Sequence, residues 1–230
     1  MEIPKNTEIL FFSPHPDDEV LAAGAFLSEL AKYNKITIVY VTNSPRGVQG
    51  EYSSKSKINI RQKEAKEACK VLGCDPYFLN LDDDLKKKKN EDKIIKIFKN
   101  YITDSDPSII ISLHKNEEHP THKRVTELLI KSIGRILNTT IVYLGEAWTP
   151  MEQPDEIFYF DEELMKVKKE ALRKHKSQIE RTDWIDAIVS LNRYRAVTQT
   201  EARKGFGSNV SSNQVTYAEV FSLYREKIRD

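Results

Sequence analysis

The chain has 230 residues, enough to bury a sizeable core in one large α/β domain or two small ones. Its 36 Lys plus Arg stand against 35 Asp plus Glu, which removes the excess positive charge that nucleic-acid binding shows, and no apolar run approaches the ~18 residues a membrane span needs. Two cysteines make no disulfide framework and the stretch MEIPKNTEILFF lacks the cationic and apolar regions of a leader, so a soluble cytoplasmic protein is expected.

In chain order, EILFFSP reads as a buried strand, DEVLAAGAFLSELAKY as a helix and KITIVYVTN as a second strand rich in β-branched residues. KINIRQKEAKEACKVLG follows as a helix stopped by Gly73, with Cys69 packed on it and Cys74 just beyond. YFLNL then reads as a short strand, EDKIIKIFKNYI as a helix, PSIIISLH as a strand, THKRVTELLIKSIGRIL as a helix and TTIVYLGE as a strand. Continuous apolar strands alternating with helices predict a Rossmann-like α/β fold: a mostly parallel sheet covered by helices on both faces, with ligands collecting beyond the carboxyl ends of the strands. From about residue 155 the chain is charged and mostly helical, but no Gly/Ser/Pro-rich linker precedes it. One domain over 1–230 is therefore expected, with a core at 1–154 and a mainly helical extension at 155–230 that completes the site. The lysines of DDDLKKKKNEDK fit a solvated surface.

Two clusters carry chemistry. At the end of the first strand stands PHPDDE, with His15, Asp17, Asp18 and Glu19; after PSIIISLH comes KNEEHPTH, so that His114, His119 and His122, three of the five histidines, fall within nine residues. Carboxylates in a first helical turn are also favoured by the helix dipole, and Pro16 suits a first helical position, so PDDE alone has a purely structural explanation. Its conjunction with His-x-x-His at what should be the same sheet edge favours a site. Two imidazoles and one carboxylate form a common catalytic zinc shell, which His15, Asp18 and His122 could supply. Adjacent Asp17 and Asp18 must point apart, which suits one base and one ligand. His114 reads as structural or as a support for a ligand. Glu146 and Trp148 follow a predicted strand and so suit a wall of the site, where Trp148 offers an aromatic surface to stack on a ligand.

The ordered set PHPDDE, TNSPRG, RQKEAKEACKVLG, FLNLDDDL, HPTH, KKEALRKHKSQ and YAEVF resembles the zinc-dependent de-N-acetylases of the PIG-L/LmbE-like family over nearly the whole chain. That resemblance implies hydrolysis of the acetamide of an N-acetylglucosamine-type conjugate or related amino-sugar. It implies His15, Asp18 and His122 as zinc ligands, with Fe2+ or another divalent ion as the alternative metal. It also implies Asp17 as general base, His119 as oxyanion stabiliser or proton donor, and Arg61 as a substrate contact, and it places His175 near the cleft. Assembly into a homo-oligomer is a further expectation from the resemblance. Many members carry Asp where this chain has Thr121; a carboxylate there would raise a neighbouring imidazole's pKa, so its replacement predicts activity more sensitive to pH near neutrality. The loops at about 43–57, 82–92 and 146–156 should hold specificity, and Arg46, Tyr52 and several lysines hint at an anionic aglycone. The competing reading is a non-catalytic α/β module for a nucleotide or sugar. It lacks a G-x-G-x-x-G or P-loop after the first strand, and a two-metal phosphatase or nuclease lacks further acids in matching positions.

Overall fold

The computed structural model describes residues 3–134, 140–204 and 216–224. Among the described residues, seven strands form one sheet in the order β3-β2-β1-β4-β5-β7-β6. β1 (Glu8–Ser13), β2 (Lys35–Tyr40), β3 (Asp75–Phe78), β4 (Ile109–Leu113) and β5 (Ile141–Gly145) run parallel. β1 and β4 have side chains buried on both sheet faces, as their continuous apolar patterns predicted, whereas β3 at the edge is partly exposed. One face is covered by α1 (Asp18–Ala31), α2 (Ser54–Leu72) and α5 (Glu162–Lys174), around Phe26, Ile38, Ala65 and Leu172. The other is covered by α3 (Glu91–Ser105) and α4 (Pro120–Ile133), around Phe12, Phe98, Val125 and Leu129. α2 ends at Gly73, whose φ of 77° a side chain would strain, and both cysteines are buried and free. The carboxyl part of the predicted helix after HPTH, residues 135–137, lies outside the described residues.

The extension contributes more than helices. β6 (Glu156–Phe160) and β7 (Tyr217–Tyr224) add an antiparallel pair to the sheet beyond β5, while α6 (Lys176–Ile179) and α7 (Trp184–Lys204) complete the helical part. α1 is also broken: Ala23 has φ −147° and ψ 21°. Across that break lies a buried ion pair. Lys168 Nζ donates to the Leu21 carbonyl at 3.0 Å and to Glu219 at 2.6 Å, while Glu219 accepts from the N–H groups of Ala25 and Phe26 at 2.9 and 2.8 Å. The free ends of the two helical pieces thus meet opposite charges. Gly24 leaves the room, since a Cβ there would stand 3.0 Å from Lys168 Cγ.

The sheet order changes direction between β1 and β4, which pair directly. At such a switch point the two following loops part and leave a crevice at the carboxyl edge. PHPDDE follows β1 and HPTH follows β4, so both clusters open into it.

Candidate metal and catalytic site

His15, Asp18 and His122 meet at that crevice. His15 Nδ1 lies 3.1 Å from His122 Nε2, and Asp18 Oδ2 lies 3.2 Å from each of those nitrogens. A tetrahedral zinc shell with bonds near 2.1 Å has edges of about 3.4 Å, so this small triangle fits one ion. Asp18 Oδ1 is buried without a hydrogen-bond partner among the described residues, another sign that a cation suits the site. Burial works against the charge of Asp18, but His122 and His15 hold its carboxyl well below the usual carboxylate range.

A ligating imidazole must present a bare nitrogen, and hydrogen bonds at the other nitrogen decide which one that is. His122 turns Nδ1 to Glu117 Oε2 at 3.2 Å, which fixes the proton of the neutral ring there and makes Nε2, toward Asp18, the nitrogen that gives up its proton to a metal. His119 does the reverse. As the residue capping α4, it accepts the Thr121 N–H on Nδ1 at 3.3 Å, so the neutral ring carries its proton on Nε2. A nitrogen of His119 can be grouped with those of His15 and His122 within 4.8 Å, but the tautomer makes this ring a donor, and the carboxylate of Asp18 completes the tighter set. Burial and the rings of His15 and His122 push His119 down to about 4, so it is neutral at pH 7. The transition expected near neutrality from the Thr121 replacement therefore does not arise at this ring.

Glu117 is the residue that sequence reasoning missed. It is fully buried, its Oε1 accepts the N–H groups of Ala147, Trp148 and Thr149 at 2.9, 3.1 and 3.2 Å, and its Oε2 holds His122. His114 lies beneath, 3.5 Å from Oε1. The available signal was an acid five residues before His122 in NEEHPTH.

Asp17 sits beside the triangle with φ 134° and ψ −27°, a region that costs a side-chain-bearing residue roughly 1–3 kcal/mol. Burial raises its pKa, with Arg61 opposing and Asp18 adding to the rise. Arg61 is buried beneath the turn: Nη2 donates to the Pro16 carbonyl and lies 3.4 Å from Asp17 Oδ2. His175 is buried too, 3.4 Å from Glu19 Oε1 but not aligned as a hydrogen bond. Glu146 is taken up by Arg195 at 2.9 and 2.6 Å and by the Met151 N–H at 2.7 Å. The structure thus gathers His15, Asp17, Asp18, His119 and His122. It places Arg61 and His175 behind them and turns Glu146 toward α7. Trp148, 44 % exposed, stands edge-on to His119 with ring centres 5.0 Å apart and is backed by Trp184 at 5.3 Å. A cleft of about 1020 Å³ opens from His15 and His119 toward Arg46, Tyr52, Lys57 and Lys86. A smaller groove of about 540 Å³ beside α2 and β3, lined by Lys63, Lys66 and Lys70, contains none of the histidines.

Fold and site define an α/β protein whose imidazole and carboxylate donors converge at the switch point of a largely parallel sheet. Within that class the chain belongs to the GlcNAc-PI de-N-acetylase (PIG-L) family, whose sequence model matches residues 10–133. It is 30% identical over 179 residues to the uncharacterized deacetylase YaiS of Escherichia coli K12, covering 75% of this chain and 92% of that one. N,N'-diacetylchitobiose deacetylase from Pyrococcus horikoshii, solved with its inhibitor MPG, superposes with a TM-score of 0.72 at 22% identity, covering 95% of this chain and 84% of the other. GalB, the 4-carboxy-2-hydroxymuconate hydratase of Pseudomonas putida KT2440, superposes with a TM-score of 0.76 at 17% identity over 97% and 98%. A deacetylase and a hydratase therefore share this fold, and the fold alone does not choose the reaction. Among the described residues no helix is long and apolar enough to cross a membrane.

Proposed function

We propose that the protein is a metal-dependent hydrolase that removes the N-acetyl group from an N-acetylglucosamine-type conjugate or related amino-sugar. The observation that carries this is the His15, Asp18 and His122 triangle with Asp17 and the His119 donor on its rim, in a chain of a de-N-acetylase family. His15 Nδ1, Asp18 and His122 Nε2 would hold the ion, Zn2+ or another divalent metal such as Fe2+. Bound there, it supplies a Lewis acid that polarises an amide carbonyl and brings the pKa of water toward ~7. Asp17, with its pKa raised by burial, takes the proton that water gives up as it attacks. His119 keeps its own proton and turns Nε2–H toward the oxyanion, because a ring with a pKa of about 4 is a hydrogen-bond donor at pH 7 rather than an acid. Protonation of the leaving amine then falls to Asp17, which returns the proton it took.

Trp148, partly exposed beside His119, offers aromatic surface for the sugar. Arg46 and Lys57 line the cleft and support an anionic aglycone, since the three acids there are each occupied: Asp82 by the backbone N–H groups of Asn43 and Ser44, Asp83 by Lys86 and Asp84 by Lys93. The test is metal analysis together with acetate release from N-acetylglucosamine, N,N'-diacetylchitobiose and N-acetylglucosamine 1-phosphate, with and without a chelator. One divalent ion per chain and chelator-sensitive acetate release are expected. A metal-loaded protein that releases acetate from none of the panel overturns the reading.

A further inference from the structure

The peptide unit joining Pro16 to Asp17 is gripped at both ends. Its carbonyl oxygen accepts from Arg61 Nη2, and its N–H donates to Glu19 Oε2 at 3.0 Å. Glu19 is itself fixed: Oε2 also accepts from Ser13 Oγ at 3.2 Å, Oε1 accepts from Tyr40 Oη at 2.7 Å, and His175 Nε2 stands 3.4 Å away. All of these side chains are buried. The grip bears on the conformation of Asp17 directly. Turning the unit over by about 180° would carry the φ of Asp17 from 134° to about −46°, which with its ψ of −27° is ordinary right-handed helix. Asp17 would then simply extend α1 by one residue. In that orientation the Pro16 carbonyl would point at the Glu19 carboxylate and the Asp17 N–H at the Arg61 guanidinium, so both partners oppose it.

We propose that Arg61 and Glu19 are positioning residues that hold the Pro16–Asp17 peptide against this flip and keep Asp17 in one strained, working orientation. A base that acts through a water molecule must be held within a fraction of an ångström, and a turn that alternates between two peptide orientations does not do this. The clamp also gives the PHPDDE glutamate and the RQKEA arginine a joint task.

The proposal rests on the hydrolase reading for its kinetic arm only. Arg61→Met and Glu19→Met should each lower kcat by about 100-fold with KM and metal content within about twofold of wild type. Glu19→Gln, which keeps an oxygen for the Asp17 N–H, should recover most of the turnover. Amide exchange at Asp17 is the second readout: slow in the wild-type protein, and at least about tenfold faster in both Met variants. A KM rise at constant kcat in Arg61→Met would make it a substrate contact and overturn the clamp, as would fast exchange at Asp17 in the wild-type protein, a result that needs no variant to fold. Failure of the wild-type protein to release acetate would count against the hydrolase reading, and exchange at Asp17 would still decide the clamp.

Discussion

Replacing Glu117 by Gln changes one atom and should loosen the metal without touching a ligand. Oε1 of Glu117 accepts three backbone N–H groups, from Ala147, Trp148 and Thr149, so the single oxygen of a glutamine is fixed at that place. The amide nitrogen must then occupy the Oε2 position, 3.2 Å from His122 Nδ1, and present hydrogens to it. His122 can answer only by baring Nδ1 and moving its proton to Nε2, the nitrogen that faces His15 and Asp18. A ring protonated on Nε2 is no ligand. Loss of such a supporting carboxylate typically weakens metal binding by about 10–100-fold, or about 1.4–2.7 kcal/mol. Competition with a zinc-chelating dye at pH 7 measures it, with Glu118→Gln as control, since Glu118 is exposed and adjacent. A zinc Kd for Glu117→Gln within twofold of wild type would refute the tautomer argument.

The pH dependence of metal binding follows from the same ring. Burial disfavours charge on His122, but Asp18 and Glu117 outweigh it and raise its pKa to about 10 in the metal-free protein. Being raised above the unfolded value, this group stabilises the metal-free fold fully below about pH 6.5 and loses that contribution as pH rises through about 10. Metal must displace the proton, so titration calorimetry in buffers of different ionisation enthalpy should show about one proton released per ion at pH 7, with affinity falling as pH falls; no release would contradict the assignment. Asp17→Asn should keep the metal and lose nearly all turnover, whereas His122→Ala should lose both, and the opposite pattern would exchange base and ligand. Glu146→Gln should lower Tm, because removing one partner of the buried pair with Arg195 costs about 3–5 kcal/mol, and should leave KM unchanged. A several-fold KM rise at wild-type stability would return Glu146 to the substrate.

What could be read from the sequence depended on how far apart in the chain the cause and its effect lie. β1, β2, β4 and β5 announce themselves because strands buried on both faces are apolar without interruption, and two clusters that each follow such a strand must open at one edge. Glu117 was in plain view in NEEHPTH, but a lone acid in a loop has no periodicity to mark it, and its partners, the N–H groups of residues 147–149, are backbone groups some thirty residues away. Arg61 and Glu146 illustrate the converse. Their residue types suit a sugar site, yet whether a side chain reaches the cleft or turns back under it depends on Asp17 and Arg195, which no local pattern reveals.

The break in α1 is the extreme case. DEVLAAGAFLSELAKY has the periodicity of an uninterrupted helix, and what splits it at Ala23 is Lys168 and Glu219, about 150 and 200 residues downstream. Those two lie in KKEAL and YAEVF, segments beyond the residues matched by the family's sequence model. The extension therefore acts on the site from behind: Lys168 caps the short piece of helix that begins with Asp18, Glu219 starts the longer piece that packs in the core, and His175 backs Glu19. A buried pair that could be replaced by apolar residues at little cost is explained here by the backbone ends it satisfies, because an apolar substitute would leave the Leu21 carbonyl and the Ala25 and Phe26 N–H groups without partners. Asp18, the one carboxylate in the triangle, stands at the start of a helical piece whose direction is set by the far end of the chain.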